Sequence, residues 1–75
     1  MKVSLEQLSN VFSSAFGEKV EVTMETKRAD LPVWDSVNHL NLIVELEEQL
    51  NVSFSTEEIP EIKSVKDLML ILEKR

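Results

Sequence analysis

The apolar positions of this chain fall into three stretches of helical period, separated by segments with no sustained period. In the first, Leu5, Leu8, Val11, Phe12, Ala15 and Phe16 recur at steps of three and four residues, along one face of an α-helix. Ser4 with Gln7 has the form of a capping box and Gly17 supplies a stop, so helix one is predicted over 4–16. The second stretch begins after Trp34-Asp35-Ser36 and runs to Leu50. At a helical step of 100° per residue, Asn38, Asn41, Glu45, Glu48 and Gln49 gather on one narrow side. Val37, Leu40, Leu42, Ile43, Val44, Leu46 and Leu50 cover most of the rest, which predicts a central helix buried over a wide arc. Ser64 with Asp67 opens the third stretch, which carries Val65, Leu68, Met69, Ile71 and Leu72. Lys74 and Arg75 at its end complement the helix dipole.

The connections are less regular. Val20, Val22 and Met24 alternate as a strand would, but nothing else in the chain offers a partner strand. Glu18 to Val33 therefore reads as a long loop, pinned to the helices by some of these apolar side chains. Its length in so small a domain invites a functional explanation. Leu31-Pro32 keeps its end extended. Beyond Leu50, Asn51 serves as a helix stop, and Val52 and Phe54 turn back inward. Ser55 with Glu58 forms a further capping box, while Pro60 limits this segment to a turn or two anchored by Ile59 and Ile62. The pattern predicts a single all-α domain over 1–75. It has three main helices, one short helix, and a long loop between helices one and two.

Composition narrows the class. At 75 residues and without cysteine, the chain builds one domain held by helix packing alone. Absence of cysteine excludes a disulfide scaffold and suits a reducing compartment. No secretory segment or bilayer-spanning run is read, so a soluble, cytoplasmic monomer with no membrane partner is expected. The net charge of −6 is unevenly placed. Asp35, Glu45, Glu47, Glu48, Glu57, Glu58 and Glu61 share one stretch that holds no Lys or Arg. The plain reading is a solvated helix face. A field of that sign also disfavours nucleic acid and favours basic protein surfaces.

Catalysis finds little support. His39 is the only histidine; it lies three residues after Ser36 on the apolar arc, and reads as a partly buried or surface-rim side chain. The paired glutamates lie on a solvated face, where little raises a carboxyl pKa for acid chemistry. A single glycine leaves no phosphate-cradling loop. Trp34 reads as a loop anchor on the core. Asp35-Ser36, taken alone, is an N-cap dipeptide.

Its surroundings alter that last reading. The segment LPVWDSVNHLNLIVELEEQLNVSFSTEEIPEIKSVKDLMLIL, from Leu31 to Leu72, resembles the acyl carrier protein family. The resemblance rests on the Asp-Ser-aliphatic triplet, Leu42-Ile43, Leu46-Glu47-Glu48, Phe54 within a Val-x-Phe turn, and Val65 and Leu68 on a closing helix. It implies an acyl-carrier-like bundle that holds acyl or aminoacyl intermediates as thioesters on a 4′-phosphopantetheine arm derived from coenzyme A. By the same resemblance Ser36 is the attachment residue and Asp35 the adjacent acid used with the metal ion and the phosphopantetheinyl transferase. Glu45, Glu47 and Glu48, with Val37, Leu40 and Val44, would meet basic surfaces on that transferase and on loading ligases, synthases or acyltransferases. Leu46, Phe54, Ile59, Ile62 and Leu68 would line a shelter for the acyl chain. Asn38 and Asn41 stand where many fatty-acid carriers have acids, and His39 and Trp34 also depart from the usual pattern. These departures lean towards a stand-alone carrier of a specialised pathway. A non-covalent acidic docking domain, with Ser36 only a cap, is the reading that remains beside it.

Overall fold

The computed structural model describes residues 1–75, in which the chain forms α1 (Leu5–Phe16), α2 (Ser36–Leu50) and α3 (Val65–Glu73). Single 3-10 turns at Arg28–Asp30 and Ile59–Glu61 punctuate the connections. The all-α expectation holds. The short fourth helix is reduced to the second of these turns, because Pro60 sits at its start and cannot donate to a longer ladder. The turn at Arg28–Asp30 carries no apolar period, so the hydrophobic pattern does not predict it.

Capping residues set the helix ends. The Gln7 N–H donates to Ser4 Oγ at 3.0 Å and the Ser4 N–H to Gln7 Oε1 at 2.9 Å, completing a reciprocal box. Gly17 ends α1 in the left-handed region at φ 73°, and Asn51 ends α2 there at φ 54°. The Ser55–Glu58 box also forms, at 3.0 and 3.2 Å. Arg75 does not lie over the last carbonyls of α3. Its guanidinium turns back to the Glu58 carboxylate and to the Ser53 carbonyl. The Ser55 backbone N–H foremost, with Arg75 behind it, holds the Glu58 carboxyl below its ordinary pKa, although burial pulls the other way.

α1 packs on α2, and α3 closes the bundle through Val65, Leu68 and Leu72. Leu8, Phe12, Trp34, Leu42, Leu46 and Ile62 fill the centre with almost no exposure. The wide-arc burial predicted for α2 is not found. Only His39, Leu42, Ile43 and Leu46 are buried, while Val37, Leu40 and Val44 are 69%, 59% and 51% exposed. α1 packs on one side of α2, and no element of this small fold covers the side that carries Val37, Leu40 and Val44.

The long loop is pegged to the bundle. Val20 N–H donates to Ser13 Oγ at 2.8 Å and Val22 N–H to Ser9 Oγ at 3.0 Å, so two α1 hydroxyls hold it along that helix. Val20 and Val22 are buried as expected, but Met24 points to solvent. Further on, Arg28 N–H donates to the Lys63 carbonyl and Val65 N–H to the Thr26 carbonyl, each at 2.9 Å. This isolated antiparallel bridge of Lys27 with Ser64 stitches the loop to the start of α3.

Where the loop meets α2, Trp34 enters the core edge-on to Phe12, with ring centroids 5.0 Å apart. His39, expected partly buried or at the rim, is only 4% exposed. Trp34 Nε1–H donates to His39 Nδ1 at 2.9 Å. An indole nitrogen can only donate, so Nδ1 must accept; Nε2 then carries the proton and donates to the Ile59 carbonyl at 2.8 Å. The neutral imidazole thus joins the lead-in to α2 with the 3-10 turn before α3.

His39→Phe keeps an aromatic ring at this position, somewhat larger, but strands the indole N–H and the Ile59 carbonyl. A loss of roughly 2–4 kcal/mol is expected, read from urea unfolding followed by the emission of Trp34, the only tryptophan. An unchanged midpoint would show that the relay contributes nothing.

Candidate functional site

The tip of α2 is built by a division of roles between two neighbours. Asp35 is the N-cap, in extended backbone, and its Oδ1 accepts the Asn38 N–H at 2.8 Å. Ser36 is the first helical residue, so its hydroxyl is not needed to cap the helix. Both side chains are exposed. The reading in which Ser36 serves as the cap is therefore corrected: the cap is Asp35. The first backbone bond of α2 runs from His39 N–H to the Asp35 carbonyl at 2.8 Å, so the N–H groups before it point off the helix end, where the dipole is positive.

The lead-in is rigid for so short a segment. Trp34 N–H donates to the Leu31 carbonyl at 3.0 Å, and Asn38 Nδ2 reaches back to the Val33 carbonyl at 2.8 Å. Arg28 closes the other side, where its Nε donates to the Trp34 carbonyl at 3.2 Å. Its Nη2 stands 3.5 Å from Ser36 Oγ. The seryl oxygen is thus held out at a fixed place beside a cation. An activating base is absent: the one imidazole is buried and both its nitrogens are committed.

Val37, Leu40 and Val44 run as an exposed apolar stripe down α2 from Ser36, and Glu48 is exposed further along. Three exposed apolar side chains in a row forgo part of the burial that would favour folding, and a patch of this kind suits a surface that another molecule covers. The other two acids expected on this face are engaged elsewhere. Glu45 accepts from Gln49 Nε2 at 2.6 Å and from Ser14 Oγ of α1 at 3.3 Å. Glu47 accepts the Phe54 N–H at 2.9 Å, tying down the turn after α2. Leu46, Ile62 and Leu68 have no exposure and are packed together in the closed core. Phe54 and Ile59 are half-buried, and Phe54 borders a surface depression with Ser53, Ser55 and Arg75. The five residues expected to shelter an acyl chain therefore divide between core and surface. No group of acidic, histidine or cysteine side chains is placed to hold a metal ion, and Asp35 faces solvent alone.

A solved structure superposes closely on this arrangement. It is the solution NMR structure of a holo acyl carrier protein from Geobacter metallireducens, matched at TM-score 0.81 and 35% identity over 93% of this chain and 82% of that one. The chain belongs to the acyl carrier protein family. Neither the models of known families nor the curated proteins match the sequence. No helix is long and apolar enough to cross a membrane. Arg28 is the member of the site that periodicity misses. Its only sequence signal is a base in a loop whose path the pattern does not fix.

The division of roles at the tip separates two substitutions. Asp35→Ala is expected to lower stability by about 1 kcal/mol through loss of the cap, whereas Ser36→Ala should change it by less than about 0.5 kcal/mol. Thermal melts of both variants beside the parent protein check this; equal losses would mean that both side chains cap α2.

Proposed function

We propose that this chain carries acyl or aminoacyl intermediates as thioesters on a 4′-phosphopantetheine arm joined to Ser36, and presents them to partner enzymes. The observation that carries this reading is the exposed Ser36 hydroxyl, free of capping duty at the tip of α2, in a chain similar to a holo acyl carrier protein. The residues present suit such an arm. Ser36 Oγ is open for phosphodiester formation, and the free N–H groups and positive dipole at the helix end favour the resulting anion. The arm, once attached, supplies a terminal thiol, which this cysteine-free chain lacks.

The chain's own residues position the hydroxyl and receive the partner. Asp35 holds the first turn and offers its second carboxylate oxygen to the metal ion of a phosphopantetheinyl transferase. Val37, Leu40 and Val44 provide the apolar contact, and Glu48 leads the acidic contribution with Glu45 and Glu47 to its sides. Weak, charge-steered docking of this kind suits a carrier that must engage a transferase, a loading ligase and a synthase or acyltransferase in turn. The asparagines at 38 and 41 thin the acidic face near Ser36, which favours partners of a dedicated pathway. The freed serine weighs against a docking domain in which Ser36 only caps the helix.

Intact-mass measurement after incubation with coenzyme A and a broad-specificity transferase tests the assignment. The parent chain should gain one phosphopantetheine, Ser36→Ala none, and Leu40→Asp should be loaded several-fold more slowly. An unchanged parent mass, or label on any other residue, removes the carrier reading. A second test concerns shelter for the cargo by Leu46, Phe54, Ile59, Ile62 and Leu68, which requires α2 and α3 to part. Loading a medium-chain acyl group should then shift the NMR resonances of these five residues, and superimposable spectra with and without the chain would leave a plain packed core.

A further inference from the structure

Beside Ser36 lies a cleft of about 410 Å³ lined by Arg28, Ala29, Trp34 and Lys63. Its two cations come from segments far apart in sequence, brought together by the Arg28 N–H to Lys63 carbonyl bond of the isolated bridge. Neither has an acidic partner. The ion pairs of the molecule are Lys19 with Glu21 and Arg75 with Glu58. In a chain of net charge −6, two unpaired bases facing one cleft form a local exception to the field around them.

The guanidinium is also aimed. Nε is committed to the Trp34 carbonyl, and because the group is planar that bond fixes where the two Nη atoms lie. Nη2 is directed at Ser36 Oγ, at a separation that makes only a marginal hydrogen bond to a neutral hydroxyl. A phosphodiester formed on Oγ places charged oxygens two bonds beyond it, on the phosphorus. There the same nitrogen meets an anion, for which charge-assisted contacts of about 2.7–2.9 Å are normal. Lys63 can add its charge from across the cleft, as a less directional partner.

We propose that Arg28, assisted by Lys63, is the clamp for the phosphodiester that links the prosthetic arm to Ser36. The inference rests on the carrier reading above and adds a direction to it. The clamp draws the base of the arm towards the Ala29 and Trp34 wall of the cleft. Val37, Leu40 and Val44 are not part of that wall, so the apolar stripe stays open to partners while the arm is attached.

The test begins with mass, so that the two readings fail separately. The parent chain, Arg28→Gln, Arg28→Lys and Lys63→Gln are each loaded with phosphopantetheine and checked for the added arm. In the parent, the Arg28 Nε–Hε resonance should move between apo and holo forms. The holo form should melt about 2–6 °C above the apo form at low salt, and high salt should shrink that gap. Arg28→Gln should shrink the gap to what the end of α2 alone supplies and shift the ³¹P resonance of the arm, with Lys63→Gln producing part of the effect and Arg28→Lys restoring part of it. Comparing holo with apo within each variant cancels the cost of losing the Arg28 bond to Trp34. A loaded parent whose Arg28 resonance and melting temperature do not change overturns the clamp and leaves the carrier reading standing. A parent that gains no mass overturns both. Should Arg28→Gln resist folding or loading, the apo–holo shift of the parent's Arg28 Nε–Hε resonance decides.

Discussion

The position of the serine depends on one buried hydrogen-bonded relay: Trp34 indole to His39 imidazole to the Ile59 carbonyl. Each component solves a problem raised by another. The indole brings a large apolar ring against Phe12 and Phe16 but carries an N–H that must be satisfied. The imidazole accepts a hydrogen bond from that N–H, and its own remaining N–H must then be satisfied in turn. A carbonyl in the 3-10 turn before α3 completes the chain. No buried side-chain nitrogen or oxygen is left without a partner. The relay joins the lead-in of α2, α2 itself and the approach to α3, so the residues immediately before Ser36 are anchored from three directions.

The architecture is readable where local chemistry alone decides it. The boxes at Ser4–Gln7 and Ser55–Glu58, the stops at Gly17 and Asn51, and the apolar period of α1 and α3 all arise within a few residues and appear as expected. The tip of α2 is likewise marked by Asp35-Ser36, although the dipeptide by itself does not say which of the two caps the helix. Expectations fail where neighbours decide. Burial around α2 is overestimated because an apolar side chain at Val37 or Val44 looks the same whether a core or a partner is meant to cover it. The place of His39 is hidden from its period, since its burial depends on Trp34 and on an Ile59 carbonyl twenty residues away. Glu45 and Glu47 read as free face charges, and only the folded chain reveals their ties to Ser14 and to the Phe54 N–H.

Arg28 and Lys63 illustrate the same limit from the side of function. In sequence they are two surface bases in unrelated loops. A two-bond bridge between Thr26–Arg28 and Lys63–Val65 brings them to one cleft near the Ser36 hydroxyl. The long α1–α2 connection is therefore part of the site's wall. Its pegging by Ser9 and Ser13 accounts for a loop of this length keeping a defined path.

The separation of Asp35 from Ser36 has a further consequence. A helix whose first turn was fastened by the very oxygen being derivatised would loosen with each attachment and tighten with each removal. Here the fastening belongs to the preceding carboxylate. In the carrier reading, a group attached at Ser36 Oγ leaves that fastening in place, so the first turn of α2 keeps its cap with or without the attachment.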